Sequence, residues 1–293
     1  MKVKFYGVRG SIPVPGPTTV KYGGNTSCVY VQMDNGQHVV FDAGTGIRLL
    51  GYDLLKDNKP INIVLSHAHW DHIQGYPFFA PIYQTDREIN VYTNIKSGKE
   101  LLCSLYEQMD GNNFPVRAEE LPSYGSHIFN VVETLLDEKD IHLVKKTLNH
   151  PGGGYAYRIE ENGVSTVYIT DNELDPPGKP HTSYDEWVEF CYGVDMLIHD
   201  SQYTEEDMPQ KHGWGHSCVT QVRQLAVDAE VGMLVMFHHD PDRTDAQLDE
   251  IDHENRLFFE RRKIPVRNYC AYEGLEITLY RSDSTGELVF EVK

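Results

Sequence analysis

Apolar residues fall along this chain in short runs broken by turns, and stripes of helical period are few. Residues 2–8, 28–33 and 37–41 alternate or run apolar as strands do, with Asp34-Asn35-Gly36 a turn signal between the last two. Gly44-Thr45-Gly46 opens a helix through Leu49 and Leu50, and Ile61-Asn62-Ile63-Val64-Leu65 reads as a buried strand. Further strands are expected over 88–92, 141–148, 155–160, 164–170, 196–199 and 233–237, with 273–280 and 287–292 forming a hairpin. A helical period marks 98–109 and 217–229. In the second, positions 219, 222, 225, 226 and 229 form one apolar stripe behind Ser217, the candidate N-cap. Residues 112–122 read as loop. Strands and helices mingle without a linker, so the expectation is one α/β domain over residues 1–293.

Chemistry sits where the apolar runs stop. Ser66-His67-Ala68-His69-Trp70-Asp71-His72 packs three imidazoles and a carboxylate directly after the run 61–65. These are the ligand types that hold zinc, manganese and iron. As alternate residues, His67 and His69 can point into one metal site, while Asp71 and His72 can turn toward a second about 3.5–4 Å away. Asp42 follows the run 39–41, His150 follows 141–148, Asp171 follows 164–170 and His238 follows 233–237. Each alone is as readily structural. Together they suit a site along one edge of a sheet.

With Phe41-Asp42-Ala43-Gly44, the 66–72 segment, His150, Tyr168-Ile169-Thr170-Asp171 and Phe237-His238, the chain resembles the metallo-β-lactamase superfamily of metallohydrolases over essentially its whole length. The resemblance implies a four-layer αβ/βα sandwich with a dinuclear site at the edge between two sheets. It implies that His67, His69 and His150 hold one metal, that Asp71, His72 and His238 hold the other, and that Asp171 bridges them. Asp42 would orient the 66–72 segment from behind. The cofactors implied are two divalent ions, zinc foremost, with manganese or iron as alternatives, supplying a metal-bridging hydroxide. His238 or His239 could be the last ligand; a position immediately after the strand favours His238.

Within that superfamily, Gly213-Trp214-Gly215-His216-Ser217 resembles a segment of the tRNA 3′-processing ribonuclease (RNase Z) and its phosphodiesterase relatives. There the histidine lies near the scissile phosphate and pairs with an acid. Here the acid would be Asp200, where the family usually has glutamate. Asp71, His216 and Asp200 are thus the candidate catalytic residues. The plainer reading has His216 capping its helix or packing beside Trp214. Arg9 and Arg243 are candidate phosphate contacts, with structural roles the stronger alternative. Phe78, Phe79, Tyr83, Phe114 and Tyr124 could line a cleft, a dimer face or simply the core.

Charge narrows the substrate. A net charge of −18 leaves no basic face for a long phosphate backbone, and Arg261-Arg262-Lys263 reads as a helix end. His150 and Asp171 lie 21 positions apart, too close for the inserted arm with which RNase Z grips tRNA. A small anionic phosphodiester, a cyclic nucleotide or cyclic dinucleotide, is therefore expected rather than extended nucleic acid. The alternatives are a thioester or lactone hydrolase, an RNA 3′-processing ribonuclease, and a non-catalytic binding module, against which the complete ligand set argues. Five cysteines without C-x-x-C spacing suit a reducing cytoplasm. No apolar stretch is long enough to span a bilayer, so no membrane partner is expected; oligomeric state stays open, a homodimer being what the resemblance allows.

Overall fold

The computed structural model describes residues 1–93, 104–124, 127–131, 142–282 and 284–293. Its first sheet contains β1 (Lys2–Gly7), β2 (Cys28–Gln32), β3 (His38–Phe41), β4 (Ile61–Val64), β5 (Ile89–Thr93) and β6 (His127–Val131). A C-terminal hairpin of β13 (Glu276–Arg281) and β14 (Leu288–Val292) completes it, in the order β14-β13-β1-β2-β3-β4-β5-β6. The second sheet contains β7 (His142–Thr147), β8 (Tyr155–Glu161), β9 (Val164–Ile169), β10 (Met196–Asp200), β11 (Met233–Phe237) and β12 (Arg267–Cys270). They are ordered β12-β11-β10-β9-β8-β7.

The two sheets meet face to face over a core that includes Phe5, Val31, Phe41, Tyr168, Ile198 and Phe237. Outside the first sheet, the helix Ile47–Leu54 and the 3₁₀ turns Tyr76–Phe78 and Ala80–Tyr83 cover Val40, Ile63 and Val91. Outside the second, helices Tyr184–Cys191, Val219–Asp228 and Asp245–Arg262 cover Val167, Leu197 and Leu234. This is the expected αβ/βα sandwich. Central strands β3, β4, β9, β10 and β11 are wholly buried because each sheet is covered on both faces, which explains their unbroken apolar runs.

Strand direction fixes where chemistry can gather. β3 runs parallel to β4, and β9, β10 and β11 run parallel to one another, so their C-terminal ends line up. Ligands of open α/β sheets lie at such an edge. Asp42, Asp171 and His238, each the first or second residue after its strand, have φ of 61°, 44° and 57°. A non-glycine residue in this left-handed region turns the chain abruptly and costs about 1–2 kcal/mol.

Local differences from the sequence reading have physical causes. The helix expected from Ser217 is capped instead by Cys218, whose backbone N–H donates to Gln221 Oε1. Ser217 is occupied elsewhere: its hydroxyl donates to Asn172 O and accepts from Leu174 N–H. Of the expected helix 98–109, residues 98–103 lie outside the described residues and 104–107 are helical. Helices Tyr184–Cys191 and Asp245–Arg262 and strands β6 and β12 were not anticipated as elements, although Arg261-Arg262 does end a helix, closed by Lys263 in the left-handed region. Among the described residues no helix is long and apolar enough to cross a membrane.

Candidate metal centre

Seven side chains from strand ends of both sheets converge into two groups: His67, His69, His150 and Asp171, and Asp71, His72, Asp171 and His238. Asp171 belongs to both. Its Oδ2 lies 3.5 Å from His67 Nε2 and 3.6 Å from His150 Nε2, while its Oδ1 lies 3.0 Å from both His72 Nε2 and His238 Nε2. Asp71 Oδ2 is 3.3 Å from His72 Nε2 and 3.2 Å from His238 Nε2. Two donors each about 2.1 Å from one ion at the tetrahedral angle would lie about 3.4 Å apart, so these spacings fit donors that share an ion. His67 Nε2 and His72 Nε2 are buried and have no hydrogen-bond partner. Buried polar atoms are rarely left so, and a cation between them would satisfy both.

The surroundings aim the rings inward. Asp42, fully buried, accepts from Ser66 N–H (2.8 Å), Tyr168 OH (2.7 Å) and His72 Nδ1–H (2.8 Å). His150 Nδ1–H donates to Gly215 O at 3.0 Å, and His238 Nδ1 pairs with Gln202 Oε1 at 2.9 Å. With Nδ1 engaged, Nε2 of each is left facing the cluster. Ser11 N–H donates to Asp71 Oδ2 (2.7 Å). Burial pushes His67 and His150 below the usual imidazole range. His72 is pushed up: burial opposes its charge, but Asp171, Asp71 and Asp42 outweigh burial. Three buried carboxylates around one point call for positive charge there.

His216 stands beside both groups. Its ring stacks on that of His238, 5.2 Å between centroids, and lies edge-on to that of His150 at 5.3 Å. Its Nδ1 is 2.7 Å from Asp200 Oδ2, so the shorter acid does reach. Burial works against charge on His216, yet the Asp200 carboxylate raises its pKa to about 9. The histidine is not the helix cap. Two glycines hold it: Gly213 and Gly215 N–H both donate to the buried Glu173 carboxylate.

Other candidates lie away from the cluster. Arg9 is fully buried, donating to the carbonyls of Gly23, Asp240 and Arg243, and Arg243 pairs with Asp207 at 2.6 Å. His239 turns aside and donates through Nε2 to Ala271 O. Phe79 is core; Phe78 is exposed and packs edge-on against Phe114, Tyr83 donates to Pro77 O, and Tyr124 packs on Tyr106. Cys28 and Cys218 are buried. Sequence reasoning missed Gln202, Glu173 and Ser11. Gln202 and Glu173 each had a positional signal, two residues beyond Asp200 and Asp171 at the same strand ends.

The sequence profile of the beta-lactamase superfamily domain matches residues 37–239, and the chain belongs to that family, a hydrolase of the metallo-β-lactamase fold. It is 23% identical to a protein named Ribonuclease Z from Picrophilus torridus, over 98% of each chain. Among solved structures it is similar to the metallo-beta-lactamase fold protein YhfI from Bacillus subtilis, with TM-score 0.67 and 17% identity over 94% of this chain and 98% of that one. A diphosphatase from the PhnP family matches with TM-score 0.64 and 19% identity, over 95% and 98%.

Proposed function

We propose that the chain, acting as one catalytic domain, is a dinuclear metal phosphodiesterase that cleaves small nucleotide phosphodiesters, cyclic nucleotides or cyclic dinucleotides foremost. The observation that carries this reading is Asp171, which turns one carboxylate oxygen to each group of ligands. His67, His69 and His150 would hold one ion, Asp71, His72 and His238 the other, and Asp171 would bridge. Zinc suits a set dominated by imidazole. Bound there, such ions supply an acidified water as nucleophile and offset charge on the phosphoryl oxygens.

The chain's own residues do the rest. Asp42 and Gln202 fix His72 and His238, and the Ser11 N–H steadies Asp71. His216, protonated against Asp200, donates a proton to the leaving oxygen or stabilises the five-coordinate phosphorus by its charge. A thioester needs no such acid, because a thiolate leaves readily.

A second reading, an RNA 3′-processing enzyme, is favoured by the relative named Ribonuclease Z. Against it stand the net charge of −18 and the short Pro151–Gly154 turn that leads from His150 directly into β8. The deciding experiment is metal content together with hydrolysis of bis(p-nitrophenyl) phosphate, followed by cyclic nucleotides, cyclic dinucleotides, precursor tRNA and acyl thioesters. Small diesters are expected to be cleaved, and His216→Ala to lower kcat by about 10²–10⁴ with metal retained. Thioester hydrolysis without diester cleavage would overturn the proposal, and unchanged kcat in His216→Ala would remove that residue from it.

A further inference from the structure

The chain's three tryptophans have different fates. Trp187, on the inner face of the helix Tyr184–Cys191, is fully buried, whereas Trp70 and Trp214 are 70% and 60% exposed. A ring of this size left in water forgoes one of the largest burial gains any side chain offers, so its exposure asks for a reason. Both exposed tryptophans are chain neighbours of residues in the metal centre. Trp70 lies between His69 and Asp71 in the chain. Trp214 precedes Gly215, whose carbonyl accepts from His150, and then His216. His69 Nδ1 and His150 Nε2 are 3.0 Å apart, so the two tryptophans are attached on either side of the His150 ring. This is also where the cluster opens: His69 is exposed, while the other six converging side chains belong to residues no more than 8% exposed.

We infer that Trp70 and Trp214 are stacking platforms for nucleobases next to the scissile phosphate, and that the substrate class is a nucleobase-bearing phosphodiester rather than an alkyl or sugar diester. The inference rests on the phosphodiesterase reading and deepens it. An indole stacks on any base, because every base offers a π-face. A chain of net charge −18 also needs a source of affinity other than long-range attraction. The two arginines nearest in role are already engaged, Arg9 with backbone carbonyls and Arg243 with Asp207. The same base could belong to a cyclic dinucleotide or to the end of an oligonucleotide.

The test compares thymidine 5′-(p-nitrophenyl phosphate) with methyl p-nitrophenyl phosphate, which differ only in the nucleoside, using the metal-loaded enzyme. Trp70→Ala and Trp214→Ala should raise KM for the thymidine ester about tenfold and leave the methyl ester unchanged, while Trp70→Phe and Trp214→Phe retain most of the preference. Quenching of indole fluorescence by AMP should be present in the wild type and lost in the double alanine variant, since Trp187 is out of reach. Unchanged KM for the thymidine ester, equal losses on both esters with metal content intact, or quenching that survives in the double variant would each overturn the inference. If the wild type cleaves neither ester, the phosphodiesterase reading fails, and AMP quenching still judges the platforms. With a cyclic dinucleotide and a short oligonucleotide as further substrates, a loss on either supports stacking and the larger loss identifies the source.

Discussion

His238 and His239 are neighbours in sequence and opposites in environment. The left-handed turn at His238 brings its ring into the cluster, and the next ring is carried out of it against Tyr22 and Ala271. Burial, with Arg9 adding to it, lowers the His239 pKa to about 3. The folded chain thus holds this imidazole neutral where an unfolded chain would take up a proton. Its contribution to stability is complete above pH 6.5 and is lost as pH falls toward 3, at up to about 1.4 kcal/mol per pH unit. Urea unfolding of the chelated protein at pH 7, 5 and 4 should show a shallower acid decline in His239→Gln than in the wild type. Legibility at this scale followed chemistry. Histidines and aspartates that end apolar runs stand out; Gln202, Glu173 and Ser11 act through one amide, one carboxylate and one backbone N–H, and nothing in their residue types distinguishes them from ordinary surface positions.

The loop 213–217 depends on elements far apart in sequence. Glu173, just beyond β9, clamps the N–H groups of Gly213 and Gly215, and the Gly215 carbonyl in turn fixes His150, just beyond β7. Gly215 has φ +89°, and a Cβ there would lie 2.2 Å from His150 Nδ1. Gly215→Ala is therefore expected to displace His150 and lower metal content. Gly153→Ala, at φ +79° with nothing within 4 Å, should cost only backbone strain of about 1–2 kcal/mol and keep its metal. Metal analysis and thermal melts of both variants check this. Buried strands were readable because two covered faces demand unbroken apolar runs. The helix Asp245–Arg262 was not, because most of its surface is polar and only a few positions, such as Leu248 and Phe259, reach the core. Its signal was local: Thr244 accepts from Gln247 N–H at the helix start. Ser183 and Glu186 form the same capping box at Tyr184–Cys191.

Taken as a whole, the molecule sets a strongly negative field around a centre for which we propose an anionic substrate. The field acts over a Debye length of roughly 30 Å at 0.01 M salt and roughly 8 Å at 0.15 M. For a doubly charged cyclic dinucleotide, kcat/KM should rise across that range as repulsion is screened, whereas a neutral ester should show no trend. A fall with salt would mean a local cationic path that outweighs the global charge. The two halves of the centre are also unequal in their access to water. One half includes the exposed His69, while every residue of the other is buried. Two ions seated there would differ in lability, the outer one leaving readily to a chelator and the inner one only when the edge of the sandwich loosens. Removal by EDTA should accordingly run in two kinetic phases of similar amplitude, the first barely dependent on temperature and the second steeply so.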